Sequence, residues 1–227
     1  MTPPLVDDPQ GIDCTLAIDL GTSGPKVALV TVDGRVLACE IEKTPVTLLP
    51  GGGAEQDPRD WWRAICQATR RLLDRPQVIG HPIVGICCTS QWSGTVPVDR
   101  RGRPLGNAII WMDARGAPYV KRITSGPVRL QGFGIDKLWT WIRLTGGIPG
   151  PSGKDPIAHI LFLKHEKPDI FAAAAKFLEP KDYLNLKLTG LCAASFDSIT
   201  LHWVTDNRQI DRIASPPALL HLAGLDR

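Results

Sequence analysis

Apolar positions fall into two rhythms along this chain, and the change of rhythm divides it. Three short apolar runs, at about 14–20, 26–32 and 35–42, are joined by very short connections, which predicts an antiparallel meander of three strands. The second connection, Val32-Asp33-Gly34-Arg35, carries an Asp-Gly hairpin signal. A triple glycine, Gly51 to Gly53, reads as a connecting loop. Asp57-Pro58 then supplies a helix start, with Asp as N-cap and Pro at the first helical position. Trp61, Ile65, Ala68 and Leu72 recur at helical spacing with Trp62 and Leu73 beside them, and Arg75-Pro76 closes the helix. The continuous apolar run Ile83 to Cys88 predicts a buried strand. Thr95 to Val98 and Ala108 to Ile110 predict short strands on either side of the turn Asp99 to Gly102. Beyond these the spacing turns helical at about 132–145, 155–166, 168–175 and 180–188, with one short helix in 215–227 that ends at Gly224.

This order predicts an α/β domain over residues 13–227, a mixed sheet flanked by helices, preceded by a Pro-rich leader at 1–12. At 227 residues the chain is long enough to bury a real core. A hydrophobic share of 43% and a charged share of 22% are ordinary for a globular protein. The net charge of +3 is too small and scattered to argue for nucleic acid. The six cysteines form no C-x-x-C and no zinc spacing, and Cys87-Cys88 inside an apolar run reads as buried free thiols. That usage fits a reducing compartment. With no signal-peptide pattern and no membrane-length apolar run, the expectation is a cytoplasmic protein without a membrane partner.

The chemistry is concentrated at Leu16 to Lys26, LAIDLGTSGPK. An apolar run ends on the carboxylate of Asp19, and a Gly21-Thr22-Ser23-Gly24 turn follows at once. Glycine lets backbone approach a ligand closely, and the N–H groups of such a turn form a concavity suited to phosphate. Asp19 is placed to hold a cation that phosphates share. The competing reading is an ordinary hairpin whose turn is rich in small polar residues for local reasons. Neither G-x-x-x-x-G-K-[ST] nor a strand–G-x-G-x-x-G–helix occurs.

Seven stretches in order carry a resemblance: AIDLGTSGPK (17–26), DGRVLA (33–38), EQDPRDWW (55–62), ICCTSQWSG (86–94), DRRGRPL (99–105), AIIWMDARG (108–116) and FLEPKDYLNLKLTG (177–190). Together they resemble the N-terminal domain of the FGGY family of carbohydrate kinases, nearest to its xylulokinase-like members. The resemblance implies the ribonuclease-H-like fold of the actin–hexokinase group of ATPases. It also implies transfer of the γ-phosphoryl of ATP, with Mg2+, onto a hydroxyl of a sugar or polyol. By the same resemblance Asp19 matches the carboxylate that helps bind Mg2+. Gly21, Thr22 and Ser23 match the turn facing the phosphates, and Lys26 the basic position after it.

The resemblance places the sugar against Gln91, Trp92, Ser93, Trp111 and Asp113. Core packing is the plain alternative for Trp111, and a strand-end cap or a bridge to Arg115 the alternative for Asp113. The family's usual pair after the glutamine, Met-His or Arg-Glu, is here Trp92-Ser93, so substrate identity cannot be carried over. Pro25 stiffens the position before Lys26. The stretch from Gly126 to Gly153, with Trp139 and Trp141, reads as a packed helix, with a lid-like insertion or an interaction surface as alternatives.

In this family the catalytic base and most adenosine contacts belong to a second, C-terminal domain. The expectation is therefore that these residues carry half an active site and need that domain as a partner. The alternative functions are a non-catalytic sugar-binding or partner-binding module and, less in keeping with the EQDPRDWW and KDYLNLKLTG stretches, another ATPase of the same group.

Overall fold

A computed structural model describes residues 11–226, so most of the expected 1–12 leader lies outside the described residues. The chain divides into two compact units, one running to Pro45 and resuming at Arg59–Ser90, the other comprising Val46–Pro58 and Gln91 onward.

The first unit holds the meander. Strands β1 (Cys14–Gly21), β2 (Gly24–Thr31) and β3 (Val36–Ile41) pair antiparallel in sequence order. Alternation on β1 buries Cys14, Leu16, Ile18 and Leu20, and Val27 and Leu29 on β2 join the same core. Two elements of the second unit, β4 (Thr47–Leu49) and β5 (Gly53–Gln56), intervene in the chain. Helix α1 (Pro58–Leu73) follows and buries Trp61, Ile65, Ala68 and Leu72, its predicted stripe. Glu40 on β3 accepts hydrogen bonds from Arg71 (3.2 Å from Nε) and Arg75 (2.7 Å from Nε), fastening the end of α1 to the sheet.

Strand β6 (Ile83–Ser90) then runs parallel to β1, giving the sheet order β3-β2-β1-β6. Its place corrects two expectations. Ile83, Val84 and Ile86 are exposed, Ile86 by 52%, and Cys87 is exposed with Cys88 half-buried. The composition is that of a central strand, but β6 has a strand only on its β1 side among the described residues. All six cysteines are free thiols, as expected.

In the second unit, β4, β5 and β8 (Ala108–Ile109) form an antiparallel sheet in that order. The glycines read as a loop instead turn this hairpin: Gly51 and Gly52 sit at φ 74° and 81°, and Leu49 pairs with Gly53. Strand β7 (Val96–Val98) pairs with the late strand β11 (Lys176–Leu178). Helix α2 (Ala117–Thr124) is followed by a small hairpin, β9 (Arg129–Leu130) with β10 (Phe133–Gly134), which leads into α3 (Ile135–Thr145).

Helix α4 (Pro156–Glu166) is the centre of this unit. Its first eight residues, PIAHILFL, are all buried, which explains an apolar sequence with no amphipathic rhythm. Ile157 and Leu161 pack with Val204 and Ala223, while Phe162 and Leu163 pack with Ile109. Helices α5 (Pro168–Ala173), α6 (Pro180–Thr189), α7 (Phe196–Thr200) and α8 (Pro217–Leu222) complete the unit. No helix among the described residues is long and apolar enough to cross a membrane.

Candidate functional site

The candidate residues fall in both units, the hairpin in the first and the Gln91–Asp113 group in the second. In the first unit β1 and β2 are joined by the two-residue turn Thr22-Ser23, with Gly21 opposite Gly24. Gly24 has φ 135°, and a Cβ there would stand 1.9 Å from the Glu42 carbonyl oxygen. Only glycine fits, and β3's continuation therefore packs hard against the turn. The Ser23 carbonyl accepts from the Thr44 N–H at 3.1 Å, fixing the turn from outside. Asp19 and Lys26 are cross-strand partners, and Lys26 Nζ lies 3.2 Å from Asp19 Oδ2. Both side chains remain about half exposed, so the pair is held open to solvent and not consumed in the core.

In the second unit the residues that follow β6 make a tight turn. Gln91 Nε2 donates to Gln56 Oε1 at 2.8 Å. Trp92 projects outward, 64% exposed. Ser93 adopts a left-handed φ of 57° and is buried, and its hydroxyl donates to the Lys154 carbonyl at 2.7 Å. Ser93 thus shapes the turn through its backbone, and its one donor is already used. The Gly94 N–H donates to Glu179 Oε2 at 3.1 Å, and a Cβ at Gly94 would meet the Pro180 ring at 2.6 Å. The start of α6 is therefore the mould against which the Gln91–Gly94 turn is cast.

Trp111 and Asp113 follow β8. Trp111 is 38% exposed, and Lys154 Nζ stands 6.0 Å from its ring centroid. Asp113 is the opposite case: it is buried and its oxygens are spoken for. Oδ2 accepts from the Ala54 N–H at 2.9 Å and from Arg115 Nη2 at 2.6 Å, and Oδ1 accepts from the Arg115 N–H at 2.9 Å. Arg115 also reaches Glu55 Oε1 at 2.6 Å and lies over the Phe162 ring, 4.2 Å from its centroid. Burial opposes the charge on Arg115, but its hydrogen bonds to Asp113 and Glu55 outweigh that and raise its pKa. The bridge to Arg115 is thus present in full, locking β5, the end of β8 and the start of α2 together.

Two buried titratable groups next to this turn went unread in the sequence. His159 on α4 lies fully buried, its Nδ1 3.1 Å from Thr95 Oγ1, and burial pushes its pKa down to about 4. Glu179 is buried with Oε1 unpaired among the described residues, and burial pushes its pKa up to about 8. At neutral pH both groups are uncharged. The signal available for Glu179 was its place just before Pro180 at a helix start, but nothing local marks such a residue as buried. Among the described residues no group of three or more His, Cys, Asp or Glu gathers to hold a metal. A single carboxylate such as Asp19 nevertheless suits Mg2+ that arrives with phosphates, because Mg2+ keeps waters and takes its remaining ligands from the substrate.

Comparison with known proteins identifies the family. Residues 14–210 match the model of the FGGY family of carbohydrate kinases, N-terminal domain. The chain is 33% identical over 177 residues to a xylulose kinase of Bacillus subtilis, covering 78% of this chain and 33% of that protein. It is 32% identical over 199 residues to a xylulose kinase of Escherichia coli, covering 83% of this chain and 36% of that one. In structure it resembles a xyloylose kinase from Brucella ovis at 27% identity, with a TM-score of 0.78 over 93% of this chain and 41% of the other. The chain spans about a third of the length of these curated relatives. With the ordered hairpin, the buried Asp113–Arg115 anchor and the mixed sheet in place, the matched segments show that this chain belongs to the FGGY family of carbohydrate kinases.

Proposed function

We propose that residues 13–227 act as the N-terminal domain of a kinase that moves the γ-phosphoryl of ATP onto a hydroxyl of a sugar or polyol. The observation that carries this reading is the β1–β2 hairpin: a glycine turn with no room for a side chain at Gly24, flanked by a solvent-facing carboxylate and ammonium. Phosphoryl transfer needs positioning and neutralisation of oxygen charge more than covalent chemistry. Gly21, Thr22 and Ser23 offer backbone and hydroxyl donors to phosphate oxygens, and Lys26 adds a positive charge. Asp19 would hold Mg2+, which when bound supplies the neutralising charge between phosphate oxygens.

On the acceptor side, Trp111 and Trp92 offer flat exposed faces to sugar C–H groups, and Gln91 offers an amide held by Gln56. Asp113 and Ser93 serve this surface by holding its backbone. The general base that takes the hydroxyl proton is proposed to come from the C-terminal domain that the longer relatives possess.

Asp19→Asn in the protein that carries this chain tests the reading. It keeps the shape of the side chain and removes its charge. Turnover is expected to fall by about 10²-fold or more with the melting temperature unchanged. Near-normal turnover would remove Asp19 from the metal role.

A further inference from the structure

Glu179 stands at the N-cap of α6, yet its side chain makes no capping hydrogen bond there. Serine, threonine, aspartate or asparagine would serve a cap better. The carboxyl instead turns away from its own helix, and Oε2 accepts from the Gly94 N–H at 3.1 Å, across 85 positions of sequence. It does so from inside the second unit, only 3% exposed, with Oε1 unpaired among the described residues. A buried carboxyl with one idle oxygen is costly, and an apolar side chain in its place would avoid that cost. What the carboxyl serves is the Gly94 N–H.

That N–H belongs to the turn that carries Gln91 and Trp92. Ser93 holds a left-handed φ of 57°, a conformation that a residue other than glycine keeps only when its surroundings enforce it. The enforcement comes from three sides. Gln56 accepts from Gln91 at 2.8 Å, the Lys154 carbonyl accepts from the Ser93 hydroxyl at 2.7 Å, and Glu179 holds Gly94. Pro180, the next residue, presses on the same point: a Cβ at Gly94 would stand 2.6 Å from its ring. A change at Glu179 is therefore passed along the turn to Gln91 and Trp92.

We propose that Glu179 is a positioning residue for the acceptor: through the Gly94 N–H it sets where Gln91 and Trp92 stand, and so how tightly the sugar or polyol binds, without touching it. The proposal rests on the kinase reading above. The carboxyl acts as a neutral acid, since burial holds its proton to about 8. Around it, Asp182 on α6 is buried and repels a second negative charge more than the neighbouring Lys181 attracts it. His159 on α4, bonded to Thr95, is neutral, and Lys176 on β11 is exposed. Ionised, the carboxyl is a buried anion beside Asp182, which favours its withdrawal toward water and the release of Gly94.

Steady-state transfer from γ-labelled ATP by the protein that carries this chain, with an acceptor that it labels, tests the role. Glu179→Leu strands the Gly94 N–H and is expected to raise the KM for the acceptor about tenfold, with kcat and the KM for ATP within about twofold. A merely structural role lowers the active fraction and leaves both KM values alone. Glu179→Gln keeps a carbonyl oxygen for Gly94 and carries no charge. It is expected to restore the acceptor KM at about pH 7 and to hold it level to about pH 9, where that of the unaltered protein rises. Should Glu179→Leu fail to fold, this comparison decides by itself. Equal shifts in the two KM values, an unchanged acceptor KM in Glu179→Leu, or the same pH profile in the unaltered protein and Glu179→Gln would each overturn the proposal while the kinase reading stands. An unaltered protein that labels no acceptor overturns that reading, and this proposal with it.

Discussion

Glu179 and His159 give the second unit opposite responses to pH, and each follows from which state loses its proton first. Unfolded, Glu179 ionises near 4.5, whereas in the fold burial holds its proton to about 8. The unfolded state then binds fewer protons across that interval, so Glu179 makes stability fall as pH rises from about 4.5 to about 8. His159 and His202 run the other way: both are held down to about 4 by burial, against 6.5 unfolded, and stability falls as pH drops between those values. Glu179→Gln, neutral at every pH, is expected to leave urea stability unchanged at pH 4.5 and to raise it at pH 8.5. Equal effects at the two values would mean that Glu179 is already ionised in the fold. Arg115→Met is expected to cost about 3–5 kcal/mol in the same assay, since it strands the buried Asp113 carboxylate. Asp113 was visible in the sequence as a chemical group between Trp111 and Arg115. Its engagement by the Ala54 N–H, 59 positions away, was not, because that contact exists only once β5 lies beside β8.

Local signals at the level of elements were read well where they were short-range. The meander, the Asp57-Pro58 helix start and the ends of α4 and α6 follow from turn residues and caps that act within a few positions. Strand β6 forms where its apolar run predicts it but is largely exposed, because such a run reports strand preference and not neighbours. The β4–β5 hairpin escaped because three glycines look like slack when two of them are holding positive φ in a turn. In the segment 126–153 a packed helix was expected; α3 is there, with Trp141 buried and Trp139 facing out. Gly24 carries the sharpest prediction at this scale. Gly24→Ala combines a left-handed backbone with a side chain driven into the Glu42 carbonyl, and is expected to destabilise the first unit by at least about 2 kcal/mol. A neutral outcome in thermal unfolding would show that β3's continuation can move away from the turn.

Considered as a whole molecule, the chain carries two distinct sets of groups: a tight glycine-flanked turn beside a solvent-exposed carboxylate and ammonium in one unit, and exposed aromatic faces on a rigid polar anchor in the other. Seven stretches spread from residue 17 to 190 made the family legible before any geometry, because each records a turn or cap the fold needs. The substrate was not legible, since Trp92-Ser93 replaces the pair that usually indicates it. The most direct test of the central claim is transfer of label from γ-labelled ATP by the protein that carries this chain. The acceptors are a panel of ketoses, polyols and aldonates, with Mg2+ present. The account predicts labelled sugar phosphate from at least one acceptor and its loss in Asp19→Asn. A folded protein that labels none of them would contradict it.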